Sequence, residues 1–247
     1  MWIPVSASAQ GLAYAHEGRN NQDAVNSWSD GVNTIVFIND GCHAGKFSEV
    51  GARLSSGFLV RKSREIALQK VPLVDLGIKL YHDYLEFLEW QVESQFFEKS
   101  EDISEFISSH LLCTAFGIIA NEKEVMFLSC GDGSFYLNQS IFETIHSPNN
   151  KPTYPAYNLY SRFGFEISTE LKSLTPPAFS TTILPSSAVQ LAGMASDGLN
   201  DMPLLVEELK DHSQTSNTLQ LCLNRIAFIR SETRDNVSIA FIRKQEA

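Results

Sequence analysis

The four cysteines of this chain, Cys42, Cys113, Cys130 and Cys222, are too scattered to form a C-x-x-C pair. That spacing excludes a zinc knuckle and supplies no disulfide framework. A reducing, cytoplasmic setting is expected. Basic runs are equally scarce. Lys and Arg number 19 against 29 Asp and Glu, the formal charge is -10, and the densest cationic stretch is RKSR, Arg61 to Arg64. Such a surface is unsuited to tracking phosphates along a polynucleotide, so no nucleic-acid partner is expected. The longest apolar run, LLCTAFGIIA, is too short to span a bilayer, and no membrane partner is expected. The opening MWIPVSASAQ lacks the basic-then-apolar order of a secretory leader. No internal repeat and no interdomain linker stands out.

What is present is an ordinary globular composition, 43% hydrophobic and 19% charged over 247 residues. That length suits one domain with a sizeable core, and residues 1–247 read as such. TIVFIND (Thr34 to Asp40), CTAFGIIA (Cys113 to Ala120), EVMFLSC (Glu124 to Cys130), AVQLAGMASD (Ala188 to Asp197) and VSIAFI (Val237 to Ile242) are rich in strand-forming residues. Asn121-Glu122-Lys123 reads as a hairpin turn, with Asn121 suited to a left-handed backbone. Helical periodicity runs from Ser48 to Gln69 and from Leu73 to Phe97, with shorter helices at Ser100–His110, Leu204–Leu209 and Thr218–Ile229. Near-continuous apolarity in the strands implies burial on both faces. The order of elements predicts an α+β fold, a layered sandwich of largely antiparallel sheets flanked by helices. From His146 to Pro185 the chain holds six of its nine prolines and little periodicity. That segment reads as an irregular, flap-like excursion.

Chemistry concentrates where strands end. Asp40 follows TIVFIN and precedes Gly41; Asp197 follows AGMAS and precedes Gly198; Asp235 precedes the last strand; Asp23 enters an early one. A lone Asp-Gly is more often a turn than a ligand. Several at strand termini can converge at one sheet edge, and glycine after aspartate lets a backbone carbonyl approach a cation. Oxygen ligands of this kind suit Mg²⁺ or Mn²⁺ rather than zinc. Cys42 and His43 adjoin the first Asp-Gly but have no partner pair at soft-metal spacing.

In order along the chain, HEGRNNQDAV, FINDGCHAGKFSEVGA, LLCTAFGIIANEKEVMFLSCGDGSFYL, GMASDGLND and RDNVSIAFI resemble the motifs of the metal-dependent type-2C protein Ser/Thr phosphatases. The details are similar to the divergent bacterial branch of that family. The resemblance implies a four-layer α-β-β-α sandwich and a site for two Mn²⁺ or Mg²⁺ ions at one end. It implies that Asp40 bridges the ions, with the Gly41 carbonyl on one of them. Asp197 and Asp235 would hold the other, and Asp23 would support it through water. The expected reaction is attack of an activated water on phosphoserine or phosphothreonine of a phosphoprotein substrate. A cysteine-dependent phosphatase is not expected, because Cys42 is followed by HAGKF and Ser48 rather than by a C-x₅-R pattern.

Three departures from the family pattern bear on activity. The arginine often found five residues before the motif aspartate falls on Gly18, and Arg19, one residue later, is the candidate phosphate ligand, with His16 beside it. Cys42 occupies the place where many relatives keep a histidine, and His43 follows as candidate general acid. The stretch SSHLLCTA carries no carboxylate for a third ion, and Asp132 in CGDGS reads as a turn-ordering residue. These departures feed the alternative of a catalytically weak or inactive relative that binds a phosphoprotein as a regulatory module.

Overall fold

The computed structural model describes residues 1–138, 140–199, 202–229 and 233–245. The strands are β1 (Trp2–Ala9), β2 (Ala24–Ser29), β3 (Thr34–Asn39), β4 (Ala115–Ala120), β5 (Glu124–Cys130), β6 (Gly133–Leu137), β7 (Ser140–Ile145), β8 (Ser180–Pro185), β9 (Leu191–Ala195) and β10 (Val237–Lys244). The helices are α1 (Leu12–His16), α2 (Ser48–Leu68), α3 (Leu73–Glu93), α4 (Ser100–Phe106), α5 (Tyr157–Arg162), α6 (Thr169–Leu174), α7 (Pro203–Asp211) and α8 (Ser216–Asn224). α4 runs on into a π-helical turn at Ile107–Leu111, and α8 into another at Arg225–Ile229.

Two five-stranded sheets result, ordered β1-β10-β9-β6-β7 and β2-β3-β4-β5-β8, and every strand pairing within them is antiparallel. The period of two explains why the central strands look apolar throughout. In β3, Ile35 and Phe37 face the core beneath α2 and α3. Val36 and Ile38, on the opposite face, join the core between the sheets. In β5, Met126 and Leu128 divide from Val125 and Phe127 in the same way. A third core lies under α7 and α8, where Val206, Leu209, Leu219 and Leu223 cover Val5 and Phe241. The layers are therefore helix, sheet, sheet, helix, the architecture expected. Truncating a fully buried residue such as Phe37 to alanine costs about 3–5 kcal/mol in such a core.

Several local expectations change. The excursion from His146 to Pro185 contains α5, α6 and an edge strand, β8, paired with β5 from Ser129↔Ser180 to Glu124↔Pro185. Its exposed outer positions and terminal proline hide the strand signal; proline is tolerated there because an edge strand need not donate outward. β1 was masked by the small residues of WIPVSASA, whose Val5, Ala7 and Ala9 are buried against α8. The 121–123 turn closes without a left-handed Asn121; instead its Oδ1 accepts from the amides of Lys123 and Glu124, at 2.8 and 2.9 Å. The long second helix stops at Glu93 rather than reaching Phe97. Within the GMASDGLND motif, Asn200 and Asp201 lie outside the described residues, as does the side chain of Ile229.

Candidate functional site

The strand ends converge at one edge of the sandwich. Asp40 leaves β3, Asp197 leaves β9, Asp235 precedes β10, and Asp132 lies between β5 and β6. All four line one cavity of about 220 Å³, together with Tyr14, Gly41, Cys42, His43, Thr114, Pro152 and Tyr154. No described lysine or arginine lines it. A groove of about 1100 Å³ lies elsewhere and has a single carboxylate, Asp211, in its lining.

Backbone pairing fixes the Asp-Gly loop. The Asp40 amide donates to Thr114 Oγ1 at 3.0 Å, and the Thr114 amide donates to the Asp40 carbonyl at 2.8 Å. Gly41 bridges Cys113, and the Cys42 amide donates to the Leu112 carbonyl at 2.9 Å. A Cβ at position 41 would stand 2.7 Å from the Gln22 carbonyl oxygen and 2.9 Å from Ser48 Oγ, so only glycine lets the loop lie so close. At Gly198 a Cβ would meet the Asn236 carbonyl oxygen at 2.2 Å, which presses the Asp197 turn against the start of β10.

Asp23 is placed differently. It does not line the cavity but is buried behind it, with Oδ2 accepting from Ser196 Oγ at 2.9 Å. Its Oδ1 has no hydrogen-bond partner among the described residues. Burial, opposed by hydrogen bonds from Ser196 and Ser238 and reinforced by the charges of Asp197 and Asp235, pushes its carboxyl up to about 7. Burial and the neighbouring charge of Asp23 raise Asp40 well above the usual carboxylate range. Burial and the charge of Asp197 raise Asp235, and they push Asp132 up to about 6. The set is short of positive charge, which a divalent cation would supply.

The residues fit such an ion by chemistry: hard carboxylate oxygens, a close backbone carbonyl at Gly41, and a buried carboxylate oxygen left unpaired. Among the described residues, however, no three of Asp, Glu, His and Cys are drawn together into a ready ligand cluster. The carboxylates share a cavity without closing on a common centre.

His43 is held from beneath. The Tyr14 hydroxyl lies 2.6 Å from His43 Nδ1, with the rings edge to face at 5.3 Å. Helix α1 is also tied to the segment before β10, because the Ala13 amide donates to the Arg234 carbonyl at 3.0 Å. Arg19 does not line the cavity. Its Nη2 donates to the carbonyls of His43 at 2.8 Å and Gly45 at 3.0 Å, and its guanidinium covers the Tyr14 ring at 5.0 Å. His16 lies exposed in α1, away from the lining. The sequence therefore brought Asp40, Gly41, His43, Asp197 and Asp235 to one cavity, with Asp23 behind it and Arg19 at its rim. It missed Tyr14, Asp132 and Tyr154 as lining residues. A tyrosine inside a short apolar helix carries no local signal of such a role, and Tyr154 arrives only through the packing of the 146–185 segment.

The sequence matches the family described as protein phosphatase 2C over residues 10–227. No curated protein matches it. Among solved structures, the Ser/Thr phosphatase Stp1 from Staphylococcus aureus superposes with a TM-score of 0.62 at 17% identity, covering 100% of this chain and 96% of that one. The Mycobacterium tuberculosis Ser/Thr phosphatase PstP/Ppp gives 0.58 at 17%, covering 99% of each. The PstP catalytic domain in complex with two manganese ions gives 0.58 at 16%, covering 98% of this chain and 97% of that one. At these identities the likeness is one of fold.

Proposed function

The chain belongs to the protein phosphatase 2C family, and from that premise we propose that it is a metal-dependent phosphoprotein phosphatase acting on phosphoserine and phosphothreonine. The observation that carries this reading is the cavity lined by Asp40, Asp132, Asp197 and Asp235 and by no described lysine or arginine. Asp40 and the Gly41 carbonyl would hold one side of a two-ion Mn²⁺ or Mg²⁺ centre, Asp197 and Asp235 the other, with Asp23 acting from behind through water. Bound ions would supply charge neutralisation and an activated water for in-line attack on phosphorus.

The chain's own residues do the rest. The Tyr14 hydroxyl orients the His43 ring through Nδ1, which leaves Nε2 as the atom that would give a proton to the departing seryl or threonyl oxygen. Arg19 ties the His43–Gly45 turn in place through its two bonds to the loop carbonyls. Pro152 and Tyr154 contribute to the wall of this cavity of about 220 Å³. We read residues 1–247 as one catalytic domain and its setting as cytoplasmic; no described helix is long and apolar enough to cross a membrane.

One observation favours the second reading, a weak or inactive phosphoprotein-binding module: the guanidinium of Arg19 is engaged by loop carbonyls instead of facing the cavity. Turnover of phosphoserine and phosphothreonine peptides with Mn²⁺ decides between them. Phosphate release that stops on EDTA addition supports the phosphatase. Peptide binding with Mn²⁺ but no release supports the module.

A further inference from the structure

Helix α2 buries serines and turns large apolar residues outward. Ser48, Ser55, Ser56 and Ser63 are buried on its inner face. Three of them serve as ties: Ser48 Oγ donates to the Cys42 carbonyl at 2.9 Å, Ser55 Oγ accepts from the Tyr84 hydroxyl at 2.7 Å, and Ser56 Oγ accepts from Asn26 Nδ2 at 2.7 Å. On the outer face Val50, Leu54 and Leu68 are 40%, 41% and 56% exposed. They belong to one row, Val50, Leu54, Gly57, Arg61, Arg64 and Leu68, in which every member is exposed. Steps of four and three residues alternate along it. That spacing is the seam against which a second helix lies.

Gly57 puts a notch in the middle of the seam. A Cβ there would meet nothing within 4 Å, so no packing inside the chain calls for a glycine, and glycine weakens a helix. The side chains at a crossing set how near two helix axes come, and a notch brings them closest. A bilayer surface would gain nothing from it.

The half of the seam beyond the notch is cationic. From Lys46 to Leu68 the chain holds five of its 19 basic residues and two of its 29 acidic ones, in a molecule of formal charge -10. Glu49 is buried beside Asn20, and Glu65 lies 3.6 Å from Lys62, which also pairs with Asp83 at 3.4 Å. The guanidinium carbons of Arg61 and Arg64 stand over the rings of Phe58 and Trp28, at 5.7 and 5.0 Å. Stacking of this kind positions a guanidinium and occupies its face, leaving the N–H edges for carboxylates. Neither arginine makes a side-chain ion pair or hydrogen bond among the described residues, and nor does Arg53. A second copy of this chain is a poor occupant. Two α2 helices crossing antiparallel at Gly57 would set Arg61 against Arg53, and two lying parallel would set each arginine against itself.

We propose that the outer face of α2 is a docking site for an amphipathic helix of a partner protein, apolar where it meets Val50 and Leu54 and acidic where it meets Arg61 and Arg64. Acidic residues are favoured in the first turns of a helix, so the partner runs antiparallel to α2. Over the 21 residues of α2 the contact is about 30 Å long. This goes beyond the phosphatase reading and does not depend on it.

The test is fluorescence anisotropy of a labelled synthetic peptide as long as α2, titrated with the full chain. The peptide is built on alanine and glutamine, with Glu at the heptad seam positions of its N-terminal half and Leu at those of its C-terminal half. A peptide of the same composition with the seam residues scrambled is the control. Gly57→Gln, which fills the notch, and Arg61→Gln are the variants, each checked by circular dichroism for retained helix content. Saturable binding to the native chain is expected, weaker by about tenfold or more for the scrambled peptide and in both variants, the scale of one lost charge-assisted contact. Absence of saturable binding overturns the proposal. So does equal binding of the scrambled peptide, which would reduce the face to a charge attraction, and so does equal binding by both variants. Two further arms test the other occupants. Phosphatidylserine vesicles that bind the native chain but not Arg61→Gln, with no peptide binding, would make the face a membrane contact instead. A dimer in sedimentation that Gly57→Gln abolishes would make it a contact between copies. Either result overturns the proposal.

Discussion

The hydroxyl of Tyr14 and Nδ1 of His43 are 2.6 Å apart, and the amide of Ala13, in the same helix, donates to the Arg234 carbonyl at 3.0 Å. Helix α1 thus ties the loop after β3 to the segment before β10, the two segments that carry the ends of the carboxylate set. Tyr14→Phe keeps the buried ring and removes only the bond to His43. Its expected effect is a fall in kcat of about tenfold to a hundredfold with little change in KM, within the range for a disturbed proton donor. Steady-state kinetics on a phosphoserine peptide check it; an equal loss in His43→Ala and in the double variant would place both residues in one unit.

The raised carboxylates give the metal-free protein a pH-dependent stability. Burial pushes the carboxyl of Asp23 up to about 7 and that of Asp132 up to about 6 in the folded state, against an ordinary aspartate value of 3.8. Between those values the folded state binds more protons than the unfolded one, so stability falls as pH rises through this window. Chemical denaturation in EDTA is expected to show a more stable protein at pH 5 than at pH 8. Mn²⁺ should restore stability at pH 8, since a bound cation removes the penalty of ionisation. A flat profile in EDTA would mean that these carboxylates are not held as described.

Two glycines make a paired prediction. At Gly41 an added methyl would stand 2.7 Å from the Gln22 carbonyl oxygen, whereas at Gly57, within α2, it would meet nothing within 4 Å. Gly41→Ala is therefore expected to lose activity and about 1–3 kcal/mol of stability through overpacking. Gly57→Ala is expected to gain about 0.5–1 kcal/mol through helix propensity and to leave activity unchanged. Denaturant midpoints with paired activity assays separate the two.

Cys42 lines the cavity but plays no chemical part in this account. Cys42→Ser is expected to keep kcat/KM within about an order of magnitude. Loss of a true nucleophile costs about 10⁶-fold, so the assay is decisive even with imperfect packing.

How far all this was legible in the sequence depends on the kind of signal. Asp40, Asp197 and Asp235 could be read because each sits at an end of an apolar strand and the first two are followed by glycine, a local pattern that topology then brings together. The four layers followed from strands such as β3 that are apolar on both faces. Tyr14 could not be read, because its role comes from a contact with His43 that only the closed fold creates. Nor could the place of Arg19. Its side chain reaches the carbonyls of a loop some twenty-five residues away, and nothing in its neighbours foretells that it turns from the cavity toward the backbone. β8 was hidden for another reason: an edge strand buries little, so its sequence keeps the polar and proline-rich character of a loop.

The central claim is that Asp40, Asp197 and Asp235 form a divalent-metal centre that drives phosphate-ester hydrolysis. The most direct measurement is Mn²⁺ titration by calorimetry, with hydrolysis of an aryl phosphate followed on the same samples, for the native chain and for Asp40→Asn. Two Mn²⁺ per chain are expected, with activity that rises with their occupancy and vanishes in EDTA, and with loss of both binding and turnover in Asp40→Asn. Turnover that survives both EDTA and Asp40→Asn would contradict it.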